Sequence, residues 1–556
     1  MSSRRRIRCV VVRPTIAGFV VLAGMIGAAL TSRAPPLVLQ RTYLGDAELD
    51  QFGFCVGPAG DVDADGFADF LVGANVNDEA ILSGGKIYLY LGGVDYPDSA
   101  VVTYAGNIER ENVGAAVHGG ADLNGDGYDD WVAGAPGLGS SGTDPGRVYV
   151  FWGGASPDGV PDLVIPGDLA GGQFGAAVCL VRDLDGDGTG DLVVGAPRAG
   201  DGRVYIYRGD PVSFDGVPER ILHARPGDRR FGRALAWLPD DDADGRDDLL
   251  VGVPRSSQAA TWAGAALLYR GTADLDSVPD LVLLGEAAGD EFGSSLFAGA
   301  DLDADGEADV LVGAPAANPS SMVDAGKAYV FRAGPALDPI PDLILSGSVI
   351  GDRFGSAVAG GFDWDGDGAA DLAVGAPDHD AGGAGAGACF VFLGGALLDA
   401  AADSTLLGSA AGVHLGRAVA SAGDVRRNGR GTLLVGGYNA SAAGRALLFG
   451  SDAVPTSAHL PQPGLRARLL PAWPNPFNPR VRTELHLDAP GFWVVDVFDA
   501  RGRRVTRLWS GWLEPGRHPL HWNGTGLRGR PVASGVYRIR AAGPAAPRSR
   551  TVTLIR

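Results

Sequence analysis

Short apolar runs recur along most of the chain, each cut off by Gly, Pro, Asp or Asn. Four kinds can be told apart. One begins with Phe-Gly, as in FGAAVCLV from Phe174. A second follows an Asp-rich turn, as in DLVVGAP from Asp191. A third alternates and is aromatic, as in GKIYLYLG from Gly85, GRVYVFWG from Gly146 and GRVYIYRG from Gly202. The fourth is short and follows Pro, as in PDLVIPG from Pro161, PDLVLLG from Pro279 and PDLILSG from Pro341. Runs of this length, rich in β-branched and aromatic residues and bounded by turn formers, predict strands.

The four runs come in a fixed order, and the order repeats. Phe52-Gly53, Val113-Gly114, Phe174-Gly175, Phe231-Gly232, Phe292-Gly293, Phe354-Gly355 and Leu415-Gly416 mark successive units at intervals of 61, 61, 57, 61, 62 and 61 residues. Four antiparallel strands per unit, repeated seven times, predict a seven-bladed β-propeller. The last unit stops after its third strand, ALLFG at Ala446–Gly450. An orphan fourth-strand run, LVLQRTYLG at Leu37–Gly45, precedes the first unit. The ring is therefore expected to close by pairing this N-terminal strand into blade 7, which removes an open sheet edge.

Between the first and second runs lies the chemistry. Asp183, Asp185, Asp187 and Asp191 stand at positions one, three, five and nine of a turn, with Gly188 at position six. The same spacing recurs at Asp61, Asp63, Asp65 and Asp69; at Asp122, Asn124, Asp126 and Asp130; at Asp240, Asp242, Asp244 and Asp248; at Asp301, Asp303, Asp305 and Asp309; and at Asp363, Asp365, Asp367 and Asp371. A curled turn with this spacing aims its oxygens at one point, and a hard cation such as Ca²⁺ takes six to eight oxygens at about 2.3–2.6 Å. Stacked carboxylates repel one another unless a cation compensates them. No Glu closes a twelve-residue loop and a strand follows at once, so these are calcium loops between strands, about six structural ions in all. In the seventh unit Asp424, Arg426, Asn428 and Thr432 fill the four positions, and Arg426 predicts an empty site there.

The chain has 556 residues and a formal net charge of −20. The ligand positions alone carry 23 carboxylates, so acidity belongs first to metal binding and argues against nucleic acid as a partner. From Gly464 onward the balance reverses, with 16 arginines against 5 acidic residues, which marks a second module. Cys9 lies near the start, and Cys55, Cys179 and Cys389 sit in strand runs at unequal repeat positions; they read as buried apolar residues rather than a disulfide framework. Arg4, Arg5, Arg6, Arg8 and Arg13 precede an apolar stretch from Ile16 to Leu30, so residues 1–34 are expected to be a signal peptide, with an uncleaved anchor as the alternative. No later stretch is long and apolar enough to span a bilayer.

The repeats resemble the FG-GAP repeats of integrin α subunits and of bacterial exported proteins. The residues that carry this are the Phe-Gly pairs, the Asp loops, and Gly134-Ala135-Pro136, Gly195-Ala196-Pro197, Gly313-Ala314-Pro315 and Gly375-Ala376-Pro377. The resemblance implies a calcium-stabilised propeller, here over residues 35–452, used for extracellular recognition. After a Pro-rich linker at 453–472, residues 473–556 show further strand runs and predict a small β-sandwich. The residues Pro474-Asn-Pro-Phe-Asn-Pro479, Asp499-Ala-Arg-Gly-Arg503, Trp522-Asn-Gly524 and Ser534-Gly-Val-Tyr537 resemble the Ig-like modules of bacterial exported proteins, the flagellar hook-capping Ig-like domain and type IX sorting tails. That resemblance implies engagement of an export machinery and a secreted or outer-surface location in a bacterium.

Other motifs point nowhere further. Arg208-Gly209-Asp210 falls where other units have an ordinary third-strand turn, and Gly382–Gly387 lacks the Lys-Ser/Thr of a phosphate loop. His518 and His521 suit packing around Trp522, and no nucleophile motif is present. The expected function is an extracellular recognition or adhesion module for a protein or glycan. The alternatives are an enzyme degrading extracellular polymer, marked by a channel-facing carboxylate pair outside the loops, or an envelope scaffold. Loops of unequal length at Asn75–Gly84, Gly137–Pro145, Arg255–Ala263, Ala316–Ala325 and Asp378–Gly387 lie opposite the calcium loops, where rigid scaffolds usually carry recognition. Trp262 among them is a candidate contact, or packs on a neighbouring blade.

Overall fold

A computed structural model describes residues 37–451 and 467–555, apart from short segments at 138, 212–213, 273–276, 334–336, 396–397, 439–443, 488–490, 499–503, 514, 527–529 and 543–547. The fold is all-β. The apolar runs form seven four-stranded antiparallel sheets, each in simple up-and-down order except the last. Blade 1 comprises Phe52–Gly60, Asp69–Ala74, Lys86–Tyr90 and Val102–Ala105, and blades 2 to 6 repeat this plan. Blade 7 takes Ala418–Ser421, Leu433–Gly437 and Arg445–Ser451 from the end of the repeat and Leu37–Leu44 from its beginning. Leu37 pairs with Ser451 and Leu44 with Arg445, so the expected closure is the observed one.

The first strand of each blade lies against the first strand of the next, and that of blade 7 lies against that of blade 1. This ring of inner strands surrounds a central channel of about 1440 Å³. The second strands are buried along their whole length in blades 1 to 6, as their unbroken apolar composition requires. The fourth strands form the half-exposed rim.

The two glycine motifs interlock between blades. The Phe-Gly glycines hold φ between +79° and +86°, a conformation open to glycine at no steric cost. A Cβ on the GAP glycine of one blade would meet the carbonyl oxygen of the next blade's Phe-Gly glycine, at 2.0 Å for Gly134 against Gly175 and 2.1 Å for Gly195 against Gly232. The contact between Gly436 and Gly53, 2.1 Å by the same measure, carries the pattern across the point of closure. The preceding Phe, Val or Leu is buried in every blade.

The second module is a sandwich of two sheets. Ala467–Leu469, Val481–Leu487 and Gly516–Trp522 form one, and Arg504–Leu513, Gly491–Phe498, Gly535–Ala542 and Arg548–Leu554 the other. Its first strand falls inside the stretch read from sequence as linker: Ala467 pairs with Leu487 and Leu469 with Leu485. Trp522 is buried between Phe477 and Tyr537 and donates its indole N–H to the Thr525 carbonyl. Among the described residues no helix is long and apolar enough to cross a membrane. The expected signal peptide and Cys9 lie outside the described residues.

Candidate functional site

Each Asp-rich turn joins the first and second strands of its blade, so all lie on one face of the ring. The turn is built by its first aspartate. One Asp61 oxygen accepts the Gly66 N–H at 2.9 Å, and Asp122, Asp183, Asp240, Asp301 and Asp363 do the same for Gly127, Gly188, Gly245, Gly306 and Gly368. Curled this way, five turns bring three carboxylates each within 4.8 Å of one another: Asp61, Asp63 and Asp69; Asp183, Asp185 and Asp187; Asp240, Asp242 and Asp244; Asp301, Asp303 and Asp309; and Asp363, Asp365 and Asp371. The blade 2 turn differs, because Asn124 donates its side-chain N–H to Asp126 at 3.1 Å.

The donor set fits a hard cation. Asp61 Oδ1 is buried without a hydrogen-bond partner, a costly state for a carboxylate oxygen unless something positive meets it. Burial first, then the like charges of Asp65 and Asp63, raise the Asp61 pKa against the pull of the Gly66 N–H. These turns could hold a metal ion through oxygen ligands alone.

The ninth-position aspartate has a second task that its spacing does not reveal. Asp191 is 1% exposed, and its two oxygens accept the N–H groups of Leu184 at 2.7 Å and Gly209 at 3.0 Å. Asp69, Asp130, Asp248, Asp309 and Asp371 make the equivalent pair of bonds. Each thus staples the turn to the end of the third strand. Burial pushes all six up to about 7. Neighbouring turns are also linked: the N–H groups of Asp129, Gly190, Asp247 and Ala370 donate to the carbonyls of Asp61, Asp122, Asp183 and Asp301 in the preceding blade.

In blade 7 the frame survives with a single carboxylate. Asp424 still accepts the N–H groups of Asn428 and Gly429. Arg426 is turned away to the Val94 carbonyl and lies over the Tyr96 ring at 5.0 Å. Thr432 takes the staple position and donates to the Gly423 carbonyl.

The opposite face carries the second-to-third strand loops, which interlock with the connections between blades: Arg110 and Asn112 donate N–H groups to Leu82 and Ser83, and Gly137 donates to Glu111. Trp262 is 45% exposed there, with the Arg255 guanidinium 5.0 Å from its ring, so it faces solvent. The channel opens on this face among Arg198, Arg230, Arg233 and Arg417, a group the sequence reading passed over. The signal was the residue after each Phe-Gly or its equivalent: Phe54, Ala115, Ala176, Arg233, Ser294, Ser356 and Arg417 in turn. Arg182 also lines the channel, with its guanidinium over Trp237 at 5.2 Å. The channel's carboxylates are Asp69, already stapled, and Asp129, which accepts the Asp61 N–H at 2.8 Å. Cys179 and Cys389 are buried free thiols, pushed up to about 12 by burial.

Two family models match parts of this chain. The FG-GAP repeat family matches residues 113–151, 174–207 and 292–331, and the FlgD Ig-like domain family matches residues 481–546. Integrin alpha-5 of Xenopus laevis is 32% identical over 235 residues, 40% of this chain and 21% of that protein. Phosphatidylinositol-glycan-specific phospholipase D of Homo sapiens is 39% identical over 171 residues, 28% of this chain and 20% of that protein. Among solved structures, the WD40 domain of Toxoplasma gondii coronin aligns with 76% of this chain and 90% of its own, at 11% identity and a TM-score of 0.44. The chain spans about a fifth of the length of these two curated relatives. With the interlocked glycine motifs and the Asp turns, the family matches and the integrin alpha similarity show that the chain carries FG-GAP repeats of the kind found in integrin α subunits, followed by a FlgD Ig-like domain.

Proposed function

We propose that this chain is an exported, calcium-stabilised propeller that recognises an extracellular protein or glycan, with its Ig-like module engaging an export or anchoring machinery. The observation that carries this reading is the division of labour between the two faces. One face holds five convergent carboxylate groups on backbone-fixed turns. The other holds loops of unequal length around an arginine-lined mouth. Bound at Asp61, Asp63, Asp65 and Asp69 and at the equivalent residues of blades 2 to 6, about six Ca²⁺ ions would cross-link turns that already touch from blade to blade, stiffening the scaffold. Recognition then falls to the opposite face.

Binding is favoured over catalysis because the channel carboxylates do not form a pair of free groups: both oxygens of Asp69 accept backbone N–H groups, and one oxygen of Asp129 accepts the Asp61 N–H. Hydrolysis by paired carboxylates needs two groups with oxygens free to reach substrate, and Asp129 alone would supply one. The test is binding of the full chain to an array of glycans and matrix proteins, in Ca²⁺ and in chelator. Calcium-dependent binding to a defined class is the expected result. No binding in either buffer, together with degradation of an extracellular polymer, would replace this reading with the enzymatic one.

A further inference from the structure

The mouth of the channel is cationic in a chain with a formal net charge of −20. Arg198, Arg230, Arg233 and Arg417 line it. Among the described residues, no carboxylate lies within ion-pair distance of any of the four. Glu291 acts on Arg233 from a distance and is itself engaged by Arg255 at 3.1 Å. Burial, and then the charges of Arg417 and Arg230, pull the Arg233 guanidinium down to about 10. Arg233 and Arg417 come from blades 4 and 7, and the ring brings them together. Four other blades have Ala or Ser at this position, which leaves the mouth open. Phe54 lies beneath the Arg417 guanidinium at 4.7 Å, and its ring centroid is 5.8 Å from that of Tyr438.

Unpaired guanidinium groups crowded at an opening are electrostatically unfavourable unless an anion meets them, and their planar forks match carboxylate and sulfate geometry. Around them the lining offers the side-chain amides of Asn112 and Gln173 and the hydroxyls of Ser294 and Ser356. Amides and hydroxyls both donate to and accept from the hydroxyls of a sugar chain; an acidic peptide, the other ligand that an arginine cluster takes, is the competing outcome of the test. We infer that the channel mouth binds an acidic polysaccharide, with Arg233 and Arg417 holding a carboxylate or sulfate group and Arg198 and Arg230 drawing the chain across the opening. This narrows the ligand class of the recognition function proposed above and rests on it.

The experiment is calorimetric titration of the full chain, in constant Ca²⁺, with oligogalacturonate and with a heparin-derived oligosaccharide. Cellohexaose is the neutral control and polyglutamate the acidic peptide control. The Arg233→Ser, Arg417→Ser double variant installs the residue that blades 5 and 6 already carry. The expected result is binding of one or both acidic oligosaccharides, weakened by added salt and reduced about 100-fold in the double variant, roughly tenfold per charge-assisted contact. Preference for the sulfated or the uronate probe identifies the anion. If the double variant melts early, Arg198→Gln with Arg230→Gln on the loops serves instead, with a loss of about tenfold expected. Unchanged affinity in a folded variant, equal binding of cellohexaose, or binding of polyglutamate alone would overturn the inference. A neutral or protein ligand from the array, bound independently of these arginines, would leave the recognition function standing while this inference fell. No ligand of any kind would remove both.

Discussion

Gly209 donates its backbone N–H to the buried Asp191 carboxylate at 3.0 Å, in the middle of an Arg-Gly-Asp sequence. Arg208 is held by Asp185 at 3.0 Å, and the Asp210 N–H donates to the Leu123 carbonyl of the preceding blade. The tripeptide is thus part of the frame around the blade 3 turn. Asp210→Glu is expected to bind ligand as the wild type does, and Arg-Gly-Asp peptides should not compete. A competition titration checks this; displacement by the peptide would refute it.

The staple aspartates separate frame from ligand. Asp191→Asn replaces an acceptor oxygen with an N–H₂ group that must face either the Leu184 or the Gly209 N–H. Leaving a buried backbone donor unsatisfied costs about 1–3 kcal/mol, and this loss should be visible in chelator as well as in Ca²⁺. Asp187 is exposed. Asp187→Asn should melt like the wild type in chelator and lose part of the rise that Ca²⁺ produces. Paired thermal melts distinguish the two variants, and identical behaviour would show that the staple has no role of its own.

Metal and pH should act together. The six staple carboxylates, pushed up to about 7 in the metal-free fold, bind protons there that the unfolded chain releases near 3.8. Their contribution is fully present below 3.8 and is lost as pH rises through about 7. In chelator the fold therefore loses stability from these groups over that window. Ca²⁺ needs ionised ligands, so its binding strengthens over the same window. The gap between the melting temperatures in Ca²⁺ and in chelator should widen from about pH 5 to about pH 7.5. A gap that is absent, or constant with pH, would contradict metal binding at these turns.

His118 titrates in the other direction. Burial lowers it to about 4, and its neutral Nδ1 accepts the Leu180 N–H of the neighbouring blade at 3.2 Å. A depressed pKa means stability that is present above 6.5 and lost as pH falls toward 4. His118→Gln should flatten this part of the profile, because carboxylate titration is common to both proteins and cancels in the difference. Urea melts across the window measure it, and parallel profiles would disprove it.

What was legible in the sequence was whatever repeats at fixed spacing. The Phe-Gly period, the Asp turns and the missing fourth strand of the last unit each recur or fail at a countable position, so the ring and its closure followed. The second task of Asp191 was not legible, because the ninth position looks the same whether its oxygens face a cation or two N–H groups. Arg233 and Arg417 were hidden for a topological reason: they are far apart along the chain and meet only once the ring has closed. Ala467–Leu469 was missed because a three-residue strand beside a Pro-rich stretch has too few residues to show alternation.

The closing strand is where the two ends of the propeller meet. Leu37–Leu44 completes blade 7, yet its Tyr43 reaches into blade 1. Tyr43 is 4% exposed, its ring lies 4.6 Å from Tyr90 and 5.7 Å from Phe70, and its hydroxyl donates to the Pro97 carbonyl at 2.8 Å. One residue therefore locks the last blade to the first. Tyr43→Ala removes a buried aromatic ring and should cost about 3–5 kcal/mol. A chain beginning at Asp46 should do worse, since Arg445–Ser451 becomes an open strand edge that invites association. A synthetic peptide of residues 37–45 supplied in trans can pair with that edge as an added strand, and should raise the melting temperature of the shortened chain toward that of the full one. If the shortened chain melts and elutes like the full chain without the peptide, the closure is not what holds the ring.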